Sequence, residues 1–309
     1  MFMAPCLRVL RRALNGFRLG KTSNCVDVEI HSSLGFFAQL NWCLYVLAYC
    51  EARNIIPKVR MTGPAYALAP GHDWFHDFFE DIESSEVSGT RQPMPQSCSA
   101  VSLFIEHIGE TTFARTYEST MTIEWAHQLF MRHFQIKTDI ATYVDRFITR
   151  EFDKHGAIGL HFRGTDKKIE ANPVDWTRCF QAVTKYALSN PGVTKVFVSS
   201  DDPFFIEWFA NQANGTLSVI LHPDRERSRN GLPVHAITGG DGYRKGFEAL
   251  VNCLILSRCV ALIRTASFLS GWSSIFNPLV PITLLNGPFV HTRWFPDREL
   301  MQRSDDRYR

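Results

Sequence analysis

Two periods of apolar and polar positions alternate along this chain. Residues 26–30 (VDVEI) alternate at every second position and predict a short strand. A Ser32-Ser33-Leu34-Gly35 turn follows. Phe37, Leu40, Leu44, Leu47 and Ala48 then mark one face of a helix running to about Arg53. Pro57 precedes a second strand near Val59, so this stretch reads as a βαβ unit. Residues 84–100, rich in Ser, Pro, Gln and Gly, read as a loop, and VSLFI at 101–105 as a strand. Helical spacing returns over roughly 122–135 and 138–154.

The pattern restarts near 157. AIGLHF (157–162), KVFVSS (195–200), LSVIL (217–221), CVALIR (259–264) and PITLL (281–285) read as strands. Helices are predicted over about 175–189, from Asp202-Pro203, over about 243–257, and from Ala266 onward. A long polar loop fills 222–242. Strands alternating with helices predict an α/β fold with parallel sheets covered on both faces. The restart predicts two domains, 1–155 and 156–309, with a cleft between them.

Composition narrows the class. At 309 residues, 45% hydrophobic and 21% charged, the chain is neither disordered nor collagen-like. Lys+Arg 33 against Asp+Glu 31 gives a net charge of +2, which argues against a nucleic-acid binder and makes any anion site a local one. The eight cysteines form no C-x-x-C pair, and several sit in apolar runs. They predict free thiols in a reducing, cytoplasmic compartment rather than a disulfide framework.

The longest apolar stretch, Gly35 to Cys50, is too short for a membrane span and contains Gln39 and Asn41. The first 26 residues hold five basic residues and no acid, with Leu7, Leu10, Leu14 and Phe17 at helical spacing. A basic surface helix is the favoured reading there. Peripheral membrane contact through residues 1–20 is the other.

In open α/β sheets ligands bind beyond the carboxyl ends of the strands. Three polar strand ends stand out: His161-Phe162-Arg163-Gly164-Thr165-Asp166-Lys167, Ser199-Ser200-Asp201-Asp202-Pro203 and Arg264-Thr265-Ala266-Ser267. Arg163 is suited to grip a phosphate through two parallel charge-assisted bonds, or else to pair with Asp166. Thr265 to Ser267 lie at a strand-to-helix junction, where backbone N–H groups favour an anion. Together they predict a diphosphate site without metal. Asp202-Pro203 is also what a helix N-terminus wants, and Ser267 reads as a cap too.

No G-x-G-x-x-G follows a strand, and Gly239-Gly240-Asp241-Gly242 lacks the Lys-Ser/Thr of a phosphate-binding P-loop. No G-x-S-x-G elbow is present. His72-Asp73-Trp74-Phe75-His76-Asp77 carries two histidines one turn apart but not the H-E-x-x-H glutamate. With Trp74, Phe75, Phe78 and Phe79 as packing residues, it reads as structural or acceptor-facing rather than metal-binding.

At these residues the chain resembles the α-1,6-fucosyltransferases and bacterial nodulation fucosyltransferases, and more distantly the α-1,2- and protein O-fucosyltransferases. HFRGTDK (161–167) is similar to their H-x-R-R-T-D-K motif, and VFVSSDDP (196–203) to a strand ending in Thr/Ser-Asp-Asp-Pro. ALVNCLILSRCVALIRTASFLS (249–270) is similar to their third motif. Order and spacing agree over roughly 157–286, and LGFFAQLNWCLYVLAYCEARNII (34–56) resembles the family's glycine turn and first helix more weakly.

The resemblance implies a GT-B-like glycosyltransferase with two Rossmann-like domains, inverting and metal-independent, with no cofactor beyond its donor GDP-fucose. It implies that Arg163 binds the β-phosphate and His161 helps hold the nucleotide. Asp201 and Asp202 would line the nucleotide edge, and Ser267, or its neighbour Phe268 if the register slips, would cover the diphosphate, with Thr265 also in the nucleotide-sugar site. Lys167 would stand near the reacting centre. Glu170 would serve as base with a one-residue gap from the family's position, and Asp175 is the reserve.

Two departures matter. Gly164 replaces the second Arg of the pair. Asn252 stands where the family has an Asp that accepts both guanine N–H donors, and an amide offers one acceptor there. Glu248, one turn earlier, or Asp202 is the expected source of a replacement carboxylate, and a helix-surface polar residue is the plainer reading of Asn252.

The implied reaction moves fucose to a hydroxyl of a glycan or lipid-linked oligosaccharide, including α-1,6 transfer to GlcNAc. Loops 62–74 and 84–100 would shape the acceptor pocket. A soluble bacterial enzyme is expected, since no anchor or stem is seen. The alternatives are another nucleotide sugar on the same fold, and a catalytically silent nucleotide- or carbohydrate-binding protein.

Overall fold

The structure is a computed structural model that describes residues 25–82, 102–106, 112–164, 171–223, 240–289 and 294–306. The first half contains β1 (Cys25–Ile30), α1 (Phe36–Glu51), β2 (Ile56–Met61), a 3-10 turn (Phe75–Asp77), β3 (Phe79–Asp81) and β4 (Ser102–Ile105). It continues with α2 (Thr112–Thr120), α3 (Ile123–His133), β5 (Phe134–Ile136) and α4 (Thr138–Glu151). The second half contains β6 (Ile158–Phe162), α5 (Trp176–Ser189), β7 (Lys195–Ser200), α6 (Pro203–Ala213) and β8 (Ser218–Ile220). α7 (Gly242–Ser257), β9 (Ala261–Arg264), α8 (Phe268–Phe276), β10 (Ile282–Leu284) and α9 (Asp297–Asp306) complete it.

Two parallel sheets result, ordered β2-β1-β4 and β10-β9-β6-β7-β8, with a small antiparallel β3-β5 pair. The predicted strands all form among the described residues. Five elements were not expected: β3, β5, the 3-10 turn, α2 and α9. The first four are short, and α9 is so polar that its sequence carries no apolar stripe to read.

Both sheets carry a topological switch point, where the chain's successive strands step away in opposite directions from a starting strand. In the second half it lies between β6 and β9, in the first between β1 and β4. These are the two places where an open parallel sheet leaves a crevice at its carboxyl edge.

The halves are joined by packing. α7 and α8 belong to the second half, yet their apolar side chains share one core with α1, α3 and α4. Phe130 and Trp272 meet edge to face at 5.3 Å, Phe37 lies 5.8 Å from Trp272, and Tyr143 meets Phe247 at 5.2 Å. A fully buried aromatic such as Phe130 contributes roughly 1.5–3 kcal/mol. Gly246 permits the approach: a Cβ there would stand 2.5 Å from Phe78 Cζ and 3.3 Å from Phe36 Cε2. Trp74, Phe75, Phe78 and Phe79 are fully buried, as their packing role predicts.

The chain's end returns to the first half. Asn41 Nδ2 donates to the Phe295 carbonyl, Arg298 donates to the carbonyls of Glu118 and Met121, and Glu299 accepts from Ile123 N.

The cysteine expectation is corrected in part. Cys25 is disulfide-bonded, its partner lying outside the described residues. Composition does not show which cysteines converge in space. Cys43, Cys50, Cys179, Cys253 and Cys259 are free and buried, and burial pushes the Cys50 and Cys179 thiols up to about 12. Such thiols behave as small apolar groups. No helix among the described residues is long and apolar enough to cross a membrane. The basic segment 1–20 and loop 84–100 lie outside the described residues.

Candidate active site

β7, β6 and β9 are neighbours, so the three polar strand ends lie side by side. His161 sits in register between Ser199 and Arg264. Along β6 the side chains alternate. Ile158, Leu160 and Phe162 enter the core under α5 and α6, which leaves His161 on the opposite face with Gly159. His161 is buried.

Arg163 follows directly, at the switch point. Its backbone N–H donates to Thr265 Oγ1 (2.9 Å), and Thr265 N donates back to the His161 carbonyl (3.0 Å). Its Nε lies 3.3 Å from Asp201 Oδ2. The expected alternative partner, Asp166, lies outside the described residues. Asp201 is almost fully buried, so the pairing fixes the guanidinium against the β7 end. One sixth of the Arg163 side chain stays accessible, at 16%. The Arg163 charge is also felt at the buried Tyr66 phenol of the first half, whose ionisation burial nonetheless pushes well up. The Arg163 charge thus reaches the first half at Tyr66.

Asp202 caps α6: its Oδ1 accepts from Phe204 N (2.9 Å) and Phe205 N (3.3 Å), with Pro203 opening the helix. A cavity of about 210 Å³ lies beside it, lined by Arg163, Gly164, Asn172, Trp176, Asp202 and Asn286 among others. Gly164 has a packing reason. A Cβ at this position would stand 2.8 Å from the Phe162 ring, which is itself stacked on Phe205 at 4.1 Å. Phe162 thus occupies the space that a second Arg would cross.

The third strand end works differently from expectation. The N–H groups of Thr265 and Ala266 do not await an anion: they donate to the His161 carbonyl and to Asn286 Oδ1. Ser267 gives no side-chain cap to α8. Instead its carbonyl accepts from Arg264 Nη2 (2.6 Å). Arg264 is fully buried and also donates to Asp297 Oδ1 (2.6 Å) and Ser270 Oγ (2.8 Å). This arginine holds the turn that sets Thr265, Ser267 and Phe268 in place. Phe268 opens α8 and stacks on Trp294 at 5.3 Å.

Asn252 is buried within α7, not on its surface. Its Nδ2 donates to the Glu248 carbonyl one turn back (2.7 Å). The Glu248 carboxylate is also buried and pairs with Arg244 Nε at 3.1 Å. Asp175, the reserve base, caps α5 through Thr177 N (2.7 Å). Asp241, at the end of the glycine run, caps α7. Lys167 and Glu170 lie outside the described residues.

Sequence reasoning missed Asn286, which ties Ala266 N to the Asn172 carbonyl, and it missed Tyr66. Neither sits in a motif. An arginine ending an apolar strand run was the one legible sign of the Arg264–Asp297 pair. The His72–Asp77 segment is an ionic cluster: His76 lies 2.7 Å from Asp73 and 3.4 Å from Asp81, and His72 lies 3.5 Å from Asp77. No group of three or more metal-ligating side chains gathers among the described residues.

No protein-family model and no curated protein matches the chain. Solved structures do. NodZ α-1,6-fucosyltransferase soaked with GDP-fucose superposes at TM-score 0.55 with 16% identity, over 84% of this chain and 94% of that one. The fold is that of the fucosyltransferases. A mutant of Arabidopsis thaliana FUT1 in complex with GDP gives TM-score 0.50 at 12% identity, over 91% of this chain and 74% of that one. POFUT1 in complex with GDP gives 0.51 at 10%, over 84% and 98%. Within this fucosyltransferase fold, Arg163 stands at the crevice of the second sheet's switch point.

Proposed function

We propose that this protein transfers fucose from GDP-fucose to a saccharide hydroxyl. One observation carries the reading: Arg163 is held at the second-half switch point by Thr265 and Asp201, with part of its side chain accessible. Similarity to fucosyltransferase structures in complex with GDP or soaked with GDP-fucose supports that donor.

In this reading the β-phosphate of the donor docks on Arg163, whose ion pair with Asp201 opens or is shared as the diphosphate binds. Charge grows on the leaving diphosphate as the bond to the anomeric carbon breaks. A preoriented guanidinium stabilises that charge without reorganisation. The N-terminus of α8 adds its dipole. Transfer is a single inverting displacement needing no metal. Lys167 and Glu170, which the motif resemblance places at the reacting centre, complete the site.

A second reading, another nucleotide sugar, rests on Asn252. Its amide donor is turned into α7 and it brings no carboxylate to a guanine edge. A donor screen decides between them. GDP-fucose, GDP-mannose, UDP-sugars and dTDP-sugars are titrated against the protein, with and without EDTA, and donor hydrolysis is followed. GDP-fucose turnover insensitive to EDTA is expected. Turnover of a uridine or thymidine donor alone would replace the reading.

A further inference from the structure

The first-half sheet has a switch point of its own, between β1 and β4, and its residues have no role yet. His31 follows β1 there, its N–H bonded to the Ile105 carbonyl at the end of β4. Its Nδ1 lies 3.0 Å from Thr62 Oγ1. The Thr62 hydroxyl donates its proton to Glu29 Oε1 at 2.7 Å, and the same carboxylate takes Arg60 Nη2 at 2.5 Å. The Thr62 oxygen must then accept from His31. In the chain Glu29–Thr62–His31 the neutral imidazole is the Nδ1–H tautomer, with its lone pair on Nε2. Thr62 is buried and holds its geometry, while His31 is only half-buried.

Phe104, on β4, stacks on the His31 ring at 5.8 Å and 24° and is 51% exposed. An exposed aromatic face beside one directed polar atom suits a saccharide, whose C–H face packs on the ring while a hydroxyl meets the acceptor atom. Thr62 leads into the turn that carries Tyr66, which accepts from Phe36 N at the start of α1 and feels the Arg163 charge.

We infer that His31 Nε2 takes the proton from the acceptor saccharide's hydroxyl, with Phe104 as the platform on which that sugar lies. The inference rests on the fucosyl-transfer reading. As the hydroxyl oxygen bonds to the anomeric carbon, the bond from that carbon to the β-phosphate oxygen breaks and its electron pair leaves with GDP. The hydroxyl proton passes to Nε2 and then to solvent. Among the described residues, Glu29 and Arg60 pair with each other on the strands beside His31, and Glu106 lies one residue beyond β4.

The test uses the full chain, radiolabelled GDP-fucose and a panel of acceptors: glucose, galactose, N-acetylglucosamine and their short oligomers. Where none accepts, water hydrolysis of the donor serves as the reaction. His31→Gln is expected to lower kcat roughly 10²–10⁴-fold with GDP affinity unchanged. Thr62→Val is expected to lower kcat while Thr62→Ser keeps it. Phe104→Ala raises the KM for the acceptor alone. Nitrogen NMR of labelled histidine shows His31 as the Nδ1–H tautomer in the wild type and a mixture in Thr62→Val. An active wild type whose His31→Gln variant turns over normally, a loss confined to Glu170→Gln, or an Nε2–H tautomer at His31 overturns this assignment alone. A wild type that neither binds GDP nor consumes GDP-fucose overturns the donor reading instead.

Discussion

The Arg163 backbone N–H and the Thr265 hydroxyl are joined by a 2.9 Å hydrogen bond across the switch point of the second-half sheet. This bond makes two strand ends one unit. Thr265→Val is expected to weaken GDP binding about 5–10-fold, in line with one neutral hydrogen bond of roughly 1 kcal/mol. Thr265→Ser restores it. Calorimetric titration with GDP checks both.

Arg264 and Asp297 form an ion pair with no solvent access on either side chain. Asp297→Ala leaves an uncompensated buried cation and is expected to cost about 3–5 kcal/mol of stability. The double replacement Arg264→Met, Asp297→Leu is expected to recover much of it. Urea unfolding of the three proteins reads the difference.

Gly246 sets the distance between α7 and the aromatic cluster of the first half. A Cβ at this position would lie 2.5 Å from Phe78 Cζ, so Gly246→Ala is expected to destabilise by about 1–3 kcal/mol. The same unfolding assay applies, and a neutral result contradicts the close approach.

His76 is held between Asp73 and Asp81, and the hydrogen bonds to these carboxylates raise its pKa from the ordinary 6.5 to about 9. The protonated form is favoured on folding. Its stabilisation is complete below about 6.5, the unfolded value, and is lost as pH rises through about 9. Stability measured by urea unfolding is expected to fall between those pH values, and His76→Gln flattens that part of the profile.

Much of this was legible in the sequence, because period 2 and period 3.6 patterns mark the strands and helices directly. The convergence of His161, Arg163, Asp201 and Thr265 followed from reading strand ends of a parallel sheet. What escaped was set by contacts between distant residues. Thr265 serves Arg163 with its hydroxyl while its N–H is already engaged, Asn286 reaches Ala266 from beyond β10, and Phe162 fills the room beside Gly164. None of these has a local signature. The Asp202-Pro203 cap did have one, whereas the caps at Asp175 and Asp241 were not read from the sequence and Ser267, read as a cap, gives none.

The central claim is that Arg163 grips the donor diphosphate. Calorimetric titration of GDP into the wild type and into Arg163→Ala tests it directly. Loss of the charge-assisted bonds is expected to weaken binding at least about 100-fold, with EDTA changing neither curve. Equal GDP affinity in the two proteins contradicts the account.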